Sequence, residues 1–248
     1  MLGEASERIA GLLPRYGQAV WSILRRPVSE TAARAAEPSL TVDALAFWCI
    51  SVFIEFVARL MFFALPADQT LYVISRGLVE LVVLLGMALS FAGAAWLFRR
   101  PVPVYAVMAA ICLLWAAALP VMTVLNGAIY ATMIVISPEL FHEIGQFLFS
   151  CTSAESLVRE IAALQTALIG RSAGVIALGI AQLAIGAALF LICAVYTISF
   201  FRVLGQLGGA GGLRLLGIVA VGVVLGVLTL SLSASFGWML GRGTGACV

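Results

Sequence analysis

Four charged residues in apolar surroundings are the strongest candidates for chemistry in this sequence. Glu55 and Arg59 lie one helical turn apart within residues 44–65, a run that is otherwise apolar enough to cross a bilayer. Arg76 and Glu80 repeat the four-residue spacing in the next apolar run. A charge at the centre of a membrane costs about 3 kcal/mol on insertion scales, so it normally has a partner, a water-filled cavity or a function. These pairs mark the region where a polar function is expected.

The two pairs are predicted at similar depths in the membrane. Counted from the outer end of each span at 1.5 Å per residue, Glu55 lies roughly 15 Å deep and Glu80 roughly 12 Å deep. We therefore predict one intramembrane charge layer, formed by Glu55, Arg59, Arg76 and Glu80. The same outer half of the membrane receives further polar side chains that are candidates to line a cavity: Asn126, Gln182, Ser231 and Ser233.

The charge layer has two interpretations. In the first, the opposite charges neutralise each other and hold the first two spans together, which is the usual remedy for charges in hydrocarbon. In the second, the layer lines an outward-facing polar cavity that holds a small hydrophilic ligand or relays protons through Glu55 and Glu80. The first interpretation is favoured.

The motifs that suggest catalysis lack the context that catalysis needs. Residues 170–174 match the G-x-S-x-G pattern of hydrolases, but that chemistry requires a strand-to-helix elbow and a histidine base. The single histidine, His142, is followed by Glu143 as in the zinc motif H-E-x-x-H, but Gln146 stands where the second histidine belongs. The five cysteines show no C-x-x-C spacing. We predict that the protein is not an enzyme and holds no metal or cofactor.

Composition places the chain among membrane proteins. Of its 248 residues, 63% are hydrophobic and only 10% are charged, whereas a soluble domain carries about 25% charged residues. The mean hydropathy is +1.13. The net charge of +2 is small and its basic residues are dispersed, which argues against nucleic-acid binding. The apolar residues fall in several blocks, so an all-α, polytopic membrane protein is predicted.

The chain divides into an amphipathic N-terminal segment, residues 1–40, and a membrane domain, residues 41–248. Within the N-terminal segment, Pro14 is expected to bend or split the helix. A second amphipathic segment is predicted over residues 137–171. Both segments either lie flat on the membrane surface or cover a partner subunit. Five spans are predicted at about residues 41–65, 72–98, 104–126, 174–201 and 213–240.

The third span needs an interruption. Residues 104–136 are apolar throughout and would form a helix about 50 Å long at 1.5 Å per residue, longer than the bilayer core. We predict a kink at Pro120 and an exit at Asn126 and Gly127, which leaves residues 128–136 as an outer extension or a re-entrant piece. In the fifth span, Gly222 and Gly226 have the G-x-x-x-G spacing, which predicts close helix packing.

Arginine counts predict the orientation. Nine arginines flank the spans on the side of the N-terminus and four on the opposite side, so the N-terminus is predicted inside and the C-terminus outside. Cys151 and Cys247 then both lie on the outer side, where an oxidising compartment permits a disulfide between them; the alternative is two free thiols.

Two stretches and the overall layout resemble the Yip1 family. The stretches are WSILRRP at residues 21–27 and the last hairpin, from VYTISFFR at residues 195–202 to LRLL at residues 213–216. Members have a cytosolic N-terminal segment, five clustered spans and a short C-terminus outside. The resemblance to bacterial members implies a protein of the cytoplasmic membrane without an assigned reaction.

The predicted function is therefore membrane organisation or service as an accessory subunit of a membrane complex. Its expected partners are the lipid bilayer and either other membrane subunits or further copies of the same chain. The alternative is a small transporter, or a transporter subunit, with an outward-facing polar cavity built on Glu55, Arg59 and Glu80.

Overall fold

The computed structural model describes residues 2–62, 69–136, 138 and 173–243, with side chains for most of them. Over these residues it contains helices and no strands, which confirms the all-helical prediction for this part of the chain. In chain order the elements are α1 (Leu2–Arg25), α2 (Pro27–Ala35), a 3-10 turn (Pro38–Leu40), α3 (Thr41–Leu60), α4 (Gln69–Leu97), α5 (Val104–Ile136), α6 (Ala173–Gly208) and α7 (Gly212–Gly243).

Four stretches of these helices are long and apolar enough to cross a membrane. They correspond to the first, third, fourth and fifth predicted spans: Pro38–Ala58, Val104–Val135, Gly179–Gly208 and Gly212–Thr229. The second predicted span falls on α4, which is 29 residues long and has a shorter apolar stretch, Leu81–Leu97, among the residues described. The architecture is that of a helical protein compatible with several membrane crossings.

α5 covers both the predicted third span and the piece, residues 128–136, that was predicted to follow it. It continues through Pro120, Asn126 and Gly127 as one helix of 33 residues. Proline and glycine are tolerated inside membrane helices when neighbouring groups satisfy the backbone atoms that they free. A serine from α3 does this at Pro120, so the helix has no need to stop there.

The N-terminal segment is helical through most of its length. α1 runs through Pro14 without a break, so the predicted split does not occur, and it ends at Arg25. Pro27 then begins α2, where a proline in the first turn costs no hydrogen bond. The polar stretch after α1 contains this helix.

Contacts divide the chain into two compact units. The first consists of Met1–Glu55, Val83–Val121 and Cys193–Ser231, and the second of Phe56–Val82, Met122–Ile192 and Leu232–Val248. In the first unit, α5 supplies much of the core through small side chains, which allow helix backbones to approach closely. The α5 alanines that are nearly inaccessible to solvent are Ala106, Ala109, Ala110, Ala116, Ala117 and Ala118.

The contact between α4 and α7 in the first unit depends on glycine. A Cβ atom on Gly222 would lie 2.3 Å from Cδ1 of Phe91, which is itself 2% exposed. A Cβ on Gly226 would lie 2.9 Å from the sulfur of Met87. The close packing predicted from Gly222 and Gly226 is confirmed. The same arrangement recurs along the two helices, with Phe98 against Gly217 and Thr229 against Gly86.

The turns that follow α4 and α6 have the same geometry. After α6, Gly209 adopts a φ of 55°, and the N–H of Ala210 donates to the carbonyl of Gly205 over 2.9 Å. After α4, Arg99 adopts a φ of 56°, and the N–H of Arg100 donates to the carbonyl of Ala95 over 2.9 Å. This is the Schellman motif, which satisfies the last carbonyl groups of a helix.

The two turns lie beside each other in the first unit. A Cβ atom on Gly208 would lie 3.2 Å from Cγ2 of Val102 and 3.5 Å from the carbonyl oxygen of Arg100. The helix pairs α4–α5 and α6–α7 therefore turn at the same end of this unit.

In the second unit, the ring centroids of Phe62 and Tyr130 are 5.6 Å apart. Phe62 also faces Gly127, where a Cβ would lie 3.6 Å from Cε2 of the ring. An aromatic contact thus covers the point at which the third span was expected to end.

Candidate functional site

The predicted charge layer is described only at Glu55. This side chain is half-buried on α3. α3 places Arg59 one turn after it, and α4 places Arg76 and Glu80 one turn apart. The side chains of Arg59, Arg76 and Glu80 lie outside the described part of the structure, so the layer stays a prediction.

The residues predicted to line a polar cavity differ in their exposure and in their hydrogen bonds. Gln182 is half-buried on α6, and its Nε2 donates to Oγ1 of Thr132 over 3.1 Å. Asn126 is half-buried on α5. Ser231 is exposed and donates to the carbonyl of Val227 over 2.9 Å. Gln182 thus contacts a polar side chain, Thr132, that was not among the predicted residues.

Several predicted features fall outside the described residues. They are the side chain of Ser233, the pair Cys151 and Cys247, and the outer amphipathic segment 137–171 apart from Pro138. Among the residues described, Cys49, Cys112 and Cys193 are free thiols.

A buried polar chain links α1, α3 and α5 in the first unit, and it begins at Pro120. Because proline has no N–H, the carbonyl of Ala116 loses its helical donor. Oγ of Ser51 donates to that carbonyl over 2.9 Å. The hydroxyl of Tyr16 lies 2.8 Å from the same Oγ. The single hydroxyl proton of Ser51 is donated to the carbonyl of Ala116. Tyr16 is therefore the donor in the bond between the two hydroxyls.

The environment of Tyr16 keeps its hydroxyl protonated. Burial raises the pKa of Tyr16 above its ordinary value of 10.0, and the hydrogen bond with Ser51 opposes part of that shift. The ring also meets Phe47 edge-on, with centroids 5.9 Å apart. Ser51 is fully buried, so each polar atom in the chain needs the partner that it has.

Sequence reasoning missed this chain, although one signal was available. Pro120 was recognised as a helix irregularity, and every such proline frees a carbonyl four residues earlier, here Ala116. A serine or threonine on an adjacent helix is the usual way to satisfy it. Nothing in the sequence indicates which hydroxyl takes that position.

A second polar cluster lies at the start of α3. The guanidinium of Arg15 on α1 pairs with the carboxylate of Asp43 in the first turn of α3. Arg34 on α2 lies beside them, and these three side chains together with Gln18 line a cavity of about 120 Å³. The cluster joins the N-terminal helices to the first predicted span.

The described residues contain no group of three or more histidine, cysteine, aspartate or glutamate side chains that could hold a metal ion. The described hydroxyls are used mainly within and between helices. Ser90, Thr132 and Thr229 each donate to a carbonyl of their own helix over 2.7–2.9 Å.

Comparisons with known proteins returned no relative. The chain matches no protein-family model, and neither curated proteins nor solved structures gave a match. The resemblance to the Yip1 family rests on the residues named above and stays a prediction.

Proposed function

We propose that this protein is a five-span protein of the bacterial cytoplasmic membrane that organises the membrane or serves as an accessory subunit of a membrane complex, without a reaction of its own. The observation that carries the proposal is the exposure of α6. Among the residues described, only 6% of the most apolar stretch of α6 is buried, against 56% of that of α5.

The exposed surface of α6 is apolar. Leu183 is 77% exposed. A helix with this surface must be covered by lipid or by another apolar helix. A subunit that binds other membrane proteins needs such a surface. The large exposed apolar side chains of α6 are Ile176, Ile180, Leu183, Phe190, Leu191, Val195 and Ile198.

The use of the hydroxyl groups supports the same proposal. Ser51 donates to the backbone of another helix, and Ser90 and Thr229 donate within their own helices. The hydroxyl of Ser51 thereby joins α3 to α5, whereas the bonds that Ser90 and Thr229 donate stay within one helix. A structural role for the membrane domain accounts for them.

The predicted orientation belongs to the proposal as well. The turns after α4 and α6 touch each other, and Val28 of α2 shares a groove with Arg202 and Gly205 of α6. The N-terminal segment and the turns after α4 and α6, which are rich in arginine, therefore lie at the same end of the first unit. The positive-inside rule assigns that end to the cytoplasm. The N-terminus is then cytoplasmic and the C-terminus periplasmic.

Site-specific photo-crosslinking in intact membranes tests the subunit role. A photoreactive amino acid at Leu183 or Phe190 should give discrete protein adducts, because these positions lie on the exposed surface of α6. The matched control is Leu114, a buried apolar position on α5, where no adduct is expected. Adducts with lipid alone at both α6 positions would overturn the subunit role and leave membrane organisation.

A small transporter is the second candidate, and the bond between Gln182 and Thr132 favours it. This half-buried polar pair lies between apolar helices of the second unit, where a polar route would need side chains of this kind. Glu55→Gln tests the candidate, because the substitution removes the charge and keeps the shape. Normal folding with lost solute or proton flux in vesicles would support transport, whereas loss of the folded protein would support a charge pair that holds helices together.

A further inference from the structure

We propose that the cavity lined by Arg15, Gln18, Arg34 and Asp43 binds a phosphate-type anion, either the phosphodiester of a phospholipid headgroup or a free phosphate. The inference goes beyond the proposed function, since it concerns a different surface and needs no partner protein. It rests on charge, on unused hydrogen-bond donors and on the position of the cavity.

The cavity carries an excess of positive charge. Two arginines line it against one aspartate, and Asp43 is already paired with Arg15. Glu30, whose carboxylate oxygen lies 3.8 Å from Nε of Arg34, does not line the cavity, so Arg34 is the second cation there. A low-dielectric wall formed by Ala44, Phe47 and Leu113 strengthens its field.

The guanidinium of Arg34 makes only long contacts with other side chains. Its Nη2 donates weakly to Oγ of Ser22 over 3.4 Å, and its Nε lies 3.8 Å from the nearest carboxylate oxygen of Glu30. Both distances exceed the 2.7–3.2 Å that is usual for an N–H···O bond. The Nε atom is inaccessible to solvent and has no hydrogen-bond partner among the residues described, so an anion in the cavity would bind the Nη groups. A guanidinium offers five N–H donors in a fork that fits two oxygens of a phosphate.

The size of the cavity suits a phosphate group. Its volume of about 120 Å³ leaves room for a tetrahedral anion of this kind. The exposed side chain of Gln18 adds an amide donor at the wall. A tetrahedral anion can then accept from Arg34 and Gln18 while Asp43 holds Arg15 in place.

The position of the cavity suits a lipid headgroup in particular. Asp43 lies in the first turn of α3, at the start of the first apolar stretch, which is the level of the membrane surface. On α1, the guanidinium of Arg25 lies over the exposed ring of Trp21, 4.4 Å from its centroid. Tryptophan and arginine are typical of the membrane–water interface.

The test uses the full chain in nanodiscs of phosphatidylcholine with and without phosphatidylglycerol. Phospholipid that stays bound after extraction is counted by native mass spectrometry. In discs of phosphatidylcholine alone, inorganic phosphate is titrated and thermal stabilisation is followed. The variants are Arg34→Gln and Arg34→Lys. Arg214→Gln is the matched control, because Arg214 is an exposed arginine outside the cavity.

Arg34→Gln should weaken anion binding about tenfold, the effect of losing one charge-assisted hydrogen bond. Arg34→Lys should restore part of the loss, and Arg214→Gln should bind as the unchanged chain does. Selective retention of phosphatidylglycerol identifies the lipid as the source, whereas stabilisation by inorganic phosphate without lipid selectivity identifies a free anion. Equal binding by the unchanged chain and by Arg34→Gln in both arms would overturn the site.

Asp43→Asn supplies an independent outcome if Arg34→Gln does not fold. Removal of the carboxylate frees Arg15 and raises the positive charge of the cavity. Anion binding should then increase several-fold, whereas a role of Asp43 in folding alone predicts no increase. A folded Asp43→Asn chain that binds no more anion would contradict the proposal.

Discussion

Two contacts within the first unit hold helices together by different physical means. Between α4 and α7, Gly222 leaves room for the buried ring of Phe91, and the fit depends on shape. Between α1, α3 and α5, Ser51 and Tyr16 satisfy the carbonyl of Ala116, and the fit depends on hydrogen bonds.

The difference between these contacts shows what each can tolerate. A shape contact fails when atoms are added, because buried neighbours cannot move far. A hydrogen-bonded contact fails when atoms are removed, because a buried acceptor loses its donor. The same apolar unit therefore has one site that is sensitive to larger side chains and one that is sensitive to lost hydroxyls.

The largest effect is expected from Gly222→Leu. A Cβ alone would lie 2.3 Å from the ring of Phe91, which also packs edge-on against Phe200 with centroids 4.9 Å apart. Overpacking of this kind should cost about 3 kcal/mol or more, measured as the free energy of unfolding in a titration with sodium dodecyl sulfate. Gly93→Ala is the control, because a Cβ there meets no atom within 4 Å. Equal losses in both variants would contradict the shape contact.

Ser51→Ala should cost about 2 kcal/mol, because it leaves the buried carbonyl of Ala116 without a donor. In that background, Pro120→Ala should recover most of the loss, since an alanine at position 120 supplies the missing N–H. The double-mutant cycle measures this coupling through the same unfolding free energies. Strictly additive effects would mean that Ser51 and Pro120 act independently.

Tyr16→Phe should cost about 1 kcal/mol, because the hydroxyl that it removes is only the second link of the chain. Burial raises the pKa of Tyr16 in the folded state above its ordinary value of 10.0. The unfolded chain therefore ionises first, and this contribution is complete below pH 10.0 and is lost as the pH rises above it. Unfolding measured against pH should show a smaller alkaline loss in Tyr16→Phe than in the unchanged chain.

The smallest effect is expected from Thr229→Val, at less than about 0.5 kcal/mol. The methyl group of Thr229 fills the space over Gly86, and valine keeps that shape. The hydroxyl donates to Leu225 in its own helix, and its contact with Ser90 is long at 3.3 Å. A loss as large as that of Ser51→Ala would show that the contact between α4 and α7 also depends on hydrogen bonds.

The sequence predicted most of the helices, because apolar blocks bounded by proline, glycine and arginine determine where membrane helices begin. α3 begins at Thr41 as predicted, and α7 begins at Gly212, one residue before the prediction. The membrane exit at Asn126 and Gly127 stays a prediction. The helix continues through both residues, which stop a helix only when the surrounding structure leaves their backbone unsatisfied.

The candidate site was less predictable. The spacing of Gly222 and Gly226 indicated a close contact, because two small residues one turn apart lie on the same helix face and let another helix approach. The role of Ser51 cannot be read from its neighbours in the sequence, because its acceptor is a backbone carbonyl in a helix 65 residues away. The cluster of Arg15, Arg34 and Asp43 likewise required the folding of three helices.

The contact between α4 and α7 also has a consequence for biosynthesis. Ser90 and Thr229 are 139 residues apart in the chain. While the ribosome makes the intervening residues, the face of α4 that carries Phe91 has no α7 to cover it. This contact therefore forms only after α7 has been made, and until then an insertase or membrane chaperone has an aromatic surface to hold.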